Sequence, residues 1–166
     1  MKTKSTLIAS ILLLGLQSSV AFAAAPNFYT GFQNLPASIH LYHYRGKAKR
    51  TMWFFTALPQ LYIFNTDGRE ILSLKGGHDN LAKTLNRAFS KPVPIKGHKP
   101  LAQWMRKLTA IQSQAAPLSS SAQFTVLEYW ATWCHYCYEE RDQLSAYFRA
   151  HPDLTINWIT VDTDKP

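Results

Sequence analysis

Residues 124–137 read Phe-Thr-Val-Leu-Glu-Tyr-Trp-Ala-Thr-Trp-Cys-His-Tyr-Cys and end on both cysteines of the chain. The first seven residues, 124–130, are mostly aromatic or apolar and predict a buried strand. Residues 138–150 carry apolar side chains at helical spacing and predict a helix, and residues 155–161 predict a second strand. The cysteines therefore lie at the start of the helix in a strand–helix–strand unit.

The spacing of the two cysteines limits their chemistry. Cys134 and Cys137 are separated by two residues, so they can pair only with each other or with another molecule. A zinc site needs further ligands of suitable spacing, and a second cysteine pair is absent from the sequence. A c-type haem needs a histidine directly after the second cysteine, where Tyr138 stands. We therefore predict a redox-active pair with no metal and no cofactor, the alternative being a small structural disulfide.

The first residues have the pattern of an export signal. Lys2 and Lys4 precede an apolar run at 7–16, and the Ala-Phe-Ala at 21–23 is typical of a cleavage site. The run is too short to span a bilayer, which needs about 20 residues. We predict a signal peptide over residues 1–23, with an uncleaved membrane anchor as the alternative. The protein is then periplasmic or secreted, an oxidising location that favours disulfides.

The mature chain, residues 24–166, has the length of a single domain. Removing Lys2 and Lys4 lowers the net charge from +8 to +6. Residues 26–110 hold thirteen Lys or Arg against three acids, whereas residues 122–166 hold seven acids against three bases. Because the basic residues do not form long runs, we interpret them as a solvated face and expect no nucleic acid partner.

The N-terminal half contains a predicted hairpin and two predicted helices. Residues 61–65 and 70–75 are strands joined by Thr-Asp-Gly-Arg at 66–69, a strong turn signal. The other predicted elements are a strand at 39–44, a helix from an N-cap at Asp79 to Phe89, a connector at 91–99 with a short strand at 93–96, a helix from Pro100 to Gln112, and an exposed loop at 113–122.

The segment Leu-Glu-Tyr-Trp-Ala-Thr-Trp-Cys-His-Tyr-Cys at 127–137 resembles the active-site strand and turn of thioredoxin-like proteins. Its Ala-Thr-Trp-Cys form is similar to that of periplasmic and cytochrome-maturation reductases. Residues 57–65 resemble the cis-proline of that family and the strand after it, which implies a cis peptide at Pro59. The hairpin and the helix at 79–89 resemble the end of the family's fold, so its second half comes first in this chain.

The resemblance implies an α/β fold: a thioredoxin-like three-layer sandwich with a central mixed sheet, circularly permuted. Residues 50–90 form the second half of the fold, 91–122 the connector and first helix, and 123–166 the active-site half. A half-fold completed by another chain is the alternative, since a half-fold alone leaves a sheet edge uncovered. We therefore expect a monomer or a dimer that exchanges halves.

The resemblance also implies roles at the cysteines. Cys134, the more exposed, is the expected nucleophile, and Cys137 is the resolving thiol. A protonated His135 would stabilise the Cys134 thiolate, although a solvent-facing histidine is an equal alternative. Glu128 is expected to be buried with a raised pKa and to take the proton from Cys137. The alternative is that Glu128 is exposed at the edge of the sheet.

Four further residues are expected on the substrate side. The backbone of Leu58, next to a cis Pro59, would pair with an extended substrate, unless the proline is trans in an ordinary turn. Trp133 and Tyr136 would wall the site or belong to the core. Asp142 departs from the family, whose proline at this position kinks the helix.

The sequence thus predicts an exported thiol–disulfide oxidoreductase. Its substrates would be cysteine-containing exported proteins, with a membrane redox partner, and the direction of exchange stays open. The alternative is a binding or assembly protein that uses the basic face. His40 and His43 are expected on opposite strand faces, as surface histidines rather than metal ligands.

Overall fold

The computed structural model describes residues 37–44, 57–110 and 117–164. Within these residues the chain forms six strands and three helices. They are β1 (Ala37–Tyr44), β2 (Gln60–Phe64), β3 (Glu70–Lys75), α1 (Leu81–Ser90), α2 (Leu101–Met105), β4 (Leu108–Ala110), β5 (Phe124–Trp130), α3 (His135–Ala150) and β6 (Ile156–Asp162). The predicted signal peptide lies outside the described residues.

The strands form one mixed sheet in the order β3-β2-β5-β6-β1-β4. Strands β5, β6 and β1 are parallel, whereas β2 is antiparallel to both of its neighbours and β4 is antiparallel to β1. Every residue of β5 is buried, as expected for a central strand. The described residues therefore form an α/β fold that is compatible with the thioredoxin-like class.

The alternation of side chains along β5 divides the core into two clusters. Leu127 and Tyr129 belong to one cluster, together with Tyr62 and with Trp104 of α2. The ring centroids of Tyr62 and Trp104 are 4.5 Å apart. The other cluster contains Val126 and the apolar residues of α1 and α3, which are Leu81, Leu85, Leu144, Tyr147 and Phe148. Helix α3, which begins at the cysteines, is thus fixed to the sheet by the second cluster.

The predicted hairpin is confirmed. Strand β3 has the predicted bounds, and β2 begins one residue earlier than predicted. Gly68 in the turn has a φ of +69°, a conformation that favours glycine. The Asn65 carbonyl accepts a hydrogen bond from the Gly68 amide at 2.9 Å. The side-chain oxygen of Asn65 accepts a second hydrogen bond from the Arg69 amide. This turn sets the register in which β2 pairs with β3.

Two predictions for helix ends are wrong. The helix from Pro100 to Gln112 is only five residues long, because residues 108–110 form β4 on the edge of β1, where Leu108 is buried opposite Tyr44. Edge pairing with β1 thus overrides the local helical pattern. The N-cap of α1 is Asn80 rather than Asp79, and its side chain makes no capping hydrogen bond.

Two further differences concern the connector and β1. The predicted strand at 93–96 does not form, although the Ile95 amide donates to the Glu70 carbonyl at 2.8 Å. His40 is buried, contrary to the expected surface position, because β1 lies between β6 and β4 rather than at the sheet edge. His43 is partly exposed, with its Nδ1 3.8 Å from the Asp162 carboxylate.

The packing of α3 leads to a first prediction. Leu144 is fully buried against the sheet, so Leu144→Ala should lower the free energy of unfolding by about 2–5 kcal/mol in urea titrations. The matched control is Asp142→Ala at an exposed position of the same helix, which should change it by no more than about 0.5 kcal/mol. Equal losses in the two variants would contradict this account of the helix.

Candidate redox site

The cysteines lie where the loop after β5 becomes helix α3. Cys134 is the N-cap of α3 and is joined to Cys137 by a disulfide. The Cys134 Sγ also accepts a hydrogen bond from the Cys137 amide at 3.2 Å. The residue exposure is 5% at Cys134 and 0% at Cys137. Cys134 is therefore the more exposed of the two cysteine residues, as predicted, and it lies at the helix end where amide N–H groups favour negative charge.

The loop that carries Cys134 is held from two sides. The Thr132 amide donates to the Asp164 carboxylate at 2.9 Å, and the Thr163 amide donates to the Trp130 carbonyl at 3.0 Å. On the helix side, the Tyr138 hydroxyl donates to the Thr132 carbonyl at 3.1 Å. These bonds join the ends of β5, β6 and α3, so the disulfide lies on a constrained backbone.

Two aromatic side chains next to the cysteines face solvent. Trp133 is 69% exposed and Tyr136 is 61% exposed, so they lie at the surface rather than in the core. The His135 side chain is more exposed still, and its Nε2 lies 3.1 Å from the Glu139 carboxylate one helical turn later. The histidine side chain therefore faces solvent, in contact with an acid of its own helix.

The Leu58–Pro59 peptide is cis, as predicted. Leu58 belongs to the same buried cluster as both cysteines. The Pro59 carbonyl accepts a hydrogen bond from the Gly76 amide at 2.8 Å, which joins this segment to the end of β3. Residues far upstream in sequence thus contribute to the surroundings of the cysteine pair.

Glu128 is fully buried, as predicted, and burial raises its pKa above the ordinary value. Its two oxygens lie 3.2 and 3.3 Å from Nη2 of Arg141, and the Trp158 indole donates to Oε2 at 3.0 Å. The Arg141 charge and these hydrogen bonds lower the pKa and so offset part of the effect of burial. The carboxyl is therefore held by specific partners beneath α3.

Neither partner of Glu128 was predicted from the sequence. Arg141 lies four residues after Cys137, so the two side chains share one face of α3. Trp158 is opposite Val126 in the β5–β6 pairing, and Val126 is two residues from Glu128 on the same face of the sheet. The helical spacing places Arg141 on the same face as Cys137, but its contact with Glu128 depends on how α3 lies on the sheet. The contact of Trp158 depends on the strand register.

Two kinds of feature, a metal-binding cluster and a membrane-spanning helix, are absent from the described ranges. Among those residues, His, Cys, Asp and Glu side chains form no group of three or more that could hold a metal ion. None of the helices in those ranges has the length and apolar character that crossing a membrane requires.

The fold and the cysteine pair fit a protein with a redox role. One curated relative is the sporulation thiol-disulfide oxidoreductase A of Bacillus subtilis (strain 168), which is 27% identical over 55 residues. That match spans 33% of this chain and 33% of the relative. No family model matches the chain, and no solved structure matches it. The partial similarity supports a redox enzyme of the thioredoxin-like class.

The buried ion pair leads to a second prediction. Arg141→Met should lower the free energy of unfolding by about 3–5 kcal/mol at neutral pH, because it leaves the Glu128 carboxylate buried without its cation. The raised pKa gives the sign of the pH dependence: a carboxyl that is harder to ionise when folded destabilises the protein as pH rises through that pKa. The loss should therefore shrink toward acid pH, where Glu128 is protonated.

The matched control for this prediction is the double variant Glu128→Gln/Arg141→Met. Replacing the acid removes the unpaired charge, so the double variant should be more stable than Arg141→Met alone at neutral pH. Denaturant titrations between pH 4 and 8 measure both effects. A loss that does not change with pH, or a double variant less stable than the single one, would contradict the ion-pair account.

Proposed function

We propose that this protein is an exported thiol–disulfide oxidoreductase that exchanges disulfides with cysteine-containing proteins. The observation that carries the proposal is the Cys134–Cys137 pair at the N-terminus of α3, with Cys134 nearer to solvent. The partial similarity to a thiol-disulfide oxidoreductase supports the same chemistry. The proposed location is periplasmic or secreted. A membrane redox partner is proposed to return the two cysteines to their starting redox state after each exchange.

The proposed exchange proceeds through a mixed disulfide. In the reducing direction, the Cys134 thiolate attacks one sulfur of a substrate disulfide, and the other substrate sulfur leaves as a thiolate and takes up a proton. Cys137 then loses its proton and attacks Cys134, which closes the protein disulfide and releases the second substrate thiol. The substrate gains two electrons and the protein pair loses them. The oxidising direction is the reverse of these steps.

The neighbouring residues have proposed roles in this exchange. Buried Glu128 is the proposed acceptor of the Cys137 proton, and burial raises its pKa above that of an ordinary glutamate, which makes it a stronger base. His135 is exposed beside Cys134, where its charge when protonated would stabilise a thiolate. Because Trp133 and Tyr136 are large, exposed and next to the sulfurs, they are the proposed contacts for the substrate chain.

The segment at Leu58 and Pro59 is the proposed second wall of the substrate site. In the family that this chain resembles, a cis-proline lies beside the cysteines, and the peptide at Pro59 is also cis. We propose that an extended substrate segment pairs with the backbone of Leu58, which would add main-chain hydrogen bonds to the aromatic contacts.

We further propose that the chain has a circularly permuted thioredoxin-like three-layer fold. The support is the order of elements: the cis-proline, β2, β3 and α1 precede β5, the cysteines and α3 in the chain, yet β2 lies directly beside β5 in the sheet. Helices α1 and α3 both contribute to the core cluster that contains Val126, and α2 contributes to the other. This arrangement needs a single copy of the chain.

The enzymatic proposal predicts covalent trapping. Cys137→Ala removes the resolving thiol, so mixed disulfides between Cys134 and a substrate should accumulate. The substrate is a protein that has been reduced, denatured and reoxidised, so that it contains disulfides. Treatment with a reductant before electrophoresis should release the substrate from the variant. The matched control, Cys134→Ala, should trap at least about tenfold less, because Cys137 is fully buried. A binding protein that acts only through its basic face would yield no adduct with either variant, and that result would remove the enzymatic proposal.

The permuted fold predicts a monomer. Sedimentation equilibrium of the Cys134→Ser/Cys137→Ser variant, which cannot form disulfides between chains, should give the mass of one mature chain at micromolar concentrations. A stable dimer that retains the folded circular dichroism spectrum would instead support two chains completing each other, and the permutation would be rejected.

A further inference from the structure

The connector between α1 and α2 presents apolar side chains to solvent. All ten residues from 91 to 100 are exposed. Among them, Val93 is 60% exposed and Ile95 is 36% exposed. The other large apolar side chains that are exposed in the described part of the chain, Trp133 and Tyr136, belong to the redox site. The connector is therefore a separate exposed apolar surface, which the proposed disulfide exchange does not use.

The backbone of the connector is fixed to the hairpin of β2 and β3. The Ile95 amide donates to the Glu70 carbonyl at 2.8 Å, and the Leu101 amide donates to the Gly68 carbonyl at 2.9 Å. Between these two bonds, Nδ1 of His98 lies 2.7 Å from the Glu70 carboxylate. Because the backbone is already held in place, binding of a partner to the exposed side chains orders little additional chain.

The connector also lies in a strongly basic part of the chain. Residues 80–110 contain seven Lys or Arg and no Asp or Glu. Four basic side chains are exposed in the connector and in the hairpin turn to which it is bonded: Arg69, Lys91, Lys96 and Lys99. The same turn holds one exposed acid, Asp67, whereas Glu70 is buried beside His98. A partner that approaches this surface therefore meets a positive charge and apolar side chains together.

A cavity lies between the hairpin turn and the connector. It has a volume of about 460 Å³. The basic residues that line it are Arg69, Lys96 and His98, and the apolar ones are Pro94, Ile95 and Pro100. Arginine and lysine side chains bind phosphate oxygens through charge-assisted hydrogen bonds. The cavity therefore combines groups that bind a phosphate with an apolar wall, as the headgroup region of a phospholipid requires.

We propose that the connector docks this protein on an anionic membrane surface, with Val93 and Ile95 entering the interface and the basic side chains contacting lipid phosphates. Binding to such a surface increases with the apolar area that enters it and with the attraction between bases and anionic lipids. An acidic polypeptide would match the charge of the surface alone. The exposed Val93 and Ile95 between Lys91 and Lys96 favour a lipid surface, and this inference does not depend on the exchange chemistry.

The strand registers place the docking surface away from the cysteines. Glu70, to which the connector is bonded, pairs with Phe64 of β2, and Phe64 pairs with Thr125 near the start of β5. Cys134 follows Trp130, which is the last residue of β5. The connector is therefore bonded to the end of the sheet opposite the redox site. Docking through the connector leaves Cys134 accessible to proteins in solution.

Docking is measured by co-sedimentation of the mature chain, residues 24–166, with lipid vesicles. One set of vesicles contains phosphatidylcholine and phosphatidylglycerol, and the other contains phosphatidylcholine alone. The wild type should bind the anionic vesicles at least about tenfold more tightly, because each Lys or Arg near an anionic surface strengthens binding by about fivefold. Added salt should weaken this binding by screening the charges. Equal binding to the two sets of vesicles would overturn the inference.

The contribution of the connector is separated from that of net charge by two double variants. Lys91→Gln/Lys96→Gln should weaken binding to anionic vesicles by about tenfold or more. The matched control, Lys83→Gln/Lys107→Gln, removes the same two charges at exposed positions outside the connector. It should weaken binding by no more than about threefold, because salt screens distant charges. Equal losses in the two variants would show that binding follows net charge and would overturn docking through the connector.

The apolar contact is tested by a loss and by a gain. Val93→Ser/Ile95→Ser should weaken binding to anionic vesicles by about tenfold, since it removes the apolar area that enters the interface. Val93→Trp should strengthen binding severalfold, because tryptophan favours the boundary between lipid and water. Both residues are exposed, so the variants should keep the circular dichroism spectrum of the wild type. Unchanged binding in either variant would show that these side chains do not enter the interface and would overturn the inference.

Two further measurements fix the kind of partner and the orientation. If poly-glutamate binds the wild type and anionic vesicles do not, the partner is an acidic polypeptide and the lipid inference is overturned. Dithiothreitol should reduce the disulfide at the same rate with and without bound anionic vesicles. A rate that falls at least about tenfold on the vesicles would show that the redox site faces the membrane, which contradicts docking through the connector.

The inference and the proposed function fail separately. Vesicle binding that behaves as expected, in a protein whose cysteines trap no substrate, would remove the oxidoreductase proposal and leave the docking surface in place. Substrate trapping by a protein that does not distinguish anionic from neutral vesicles would do the opposite.

Discussion

The position of Glu128 depends on one interaction, the ion pair with Arg141 beneath the active-site helix. A carboxyl on the central strand β5 is removed from water on every side, and Arg141 and the Trp158 indole replace the lost solvent contacts. Because these three residues belong to β5, α3 and β6, their contacts link the helix to the sheet in addition to the apolar cluster. The cysteines at the start of α3 take their position from that packing. Glu128 therefore lies beneath α3 and also binds this helix to the sheet through Arg141.

The cysteine loop combines exposed aromatic side chains with a backbone that is held by hydrogen bonds. Trp133 and Tyr136 face solvent, so the loop is held by backbone bonds to Asp164 and to the end of β5 and by the Tyr138 hydroxyl. A rigid backbone with exposed aromatic rings suits a surface that contacts an extended protein chain, since two-torsion aromatic side chains lose little entropy on binding.

Local signals in the sequence were sufficient for much of the fold. The turn at Gly68, the apolar run of β5 and the helix after the cysteines were predictable, because each depends on residues within one element. The cis peptide at Pro59 and the burial of Glu128 were also predictable, from family resemblance and from strand alternation. The short α2, the strand β4 and the burial of His40 were not, because they depend on pairing with β1. Arg141 and Trp158 were missed because the helix surface and the strand register decide their contacts with Glu128.

The strand order has a consequence for the way in which the chain must assemble. Strand β1 pairs with β6, so Ala37 lies opposite Ile156, and the two strands stand at opposite ends of the described sequence. Strand β2 likewise cannot find its second neighbour until β5 has been made. During synthesis the early strands therefore emerge with unpaired edges and remain so until almost the whole chain is available. Closing such long loops slows folding, and the unpaired edges of the early strands can pair with other chains until β6 is available.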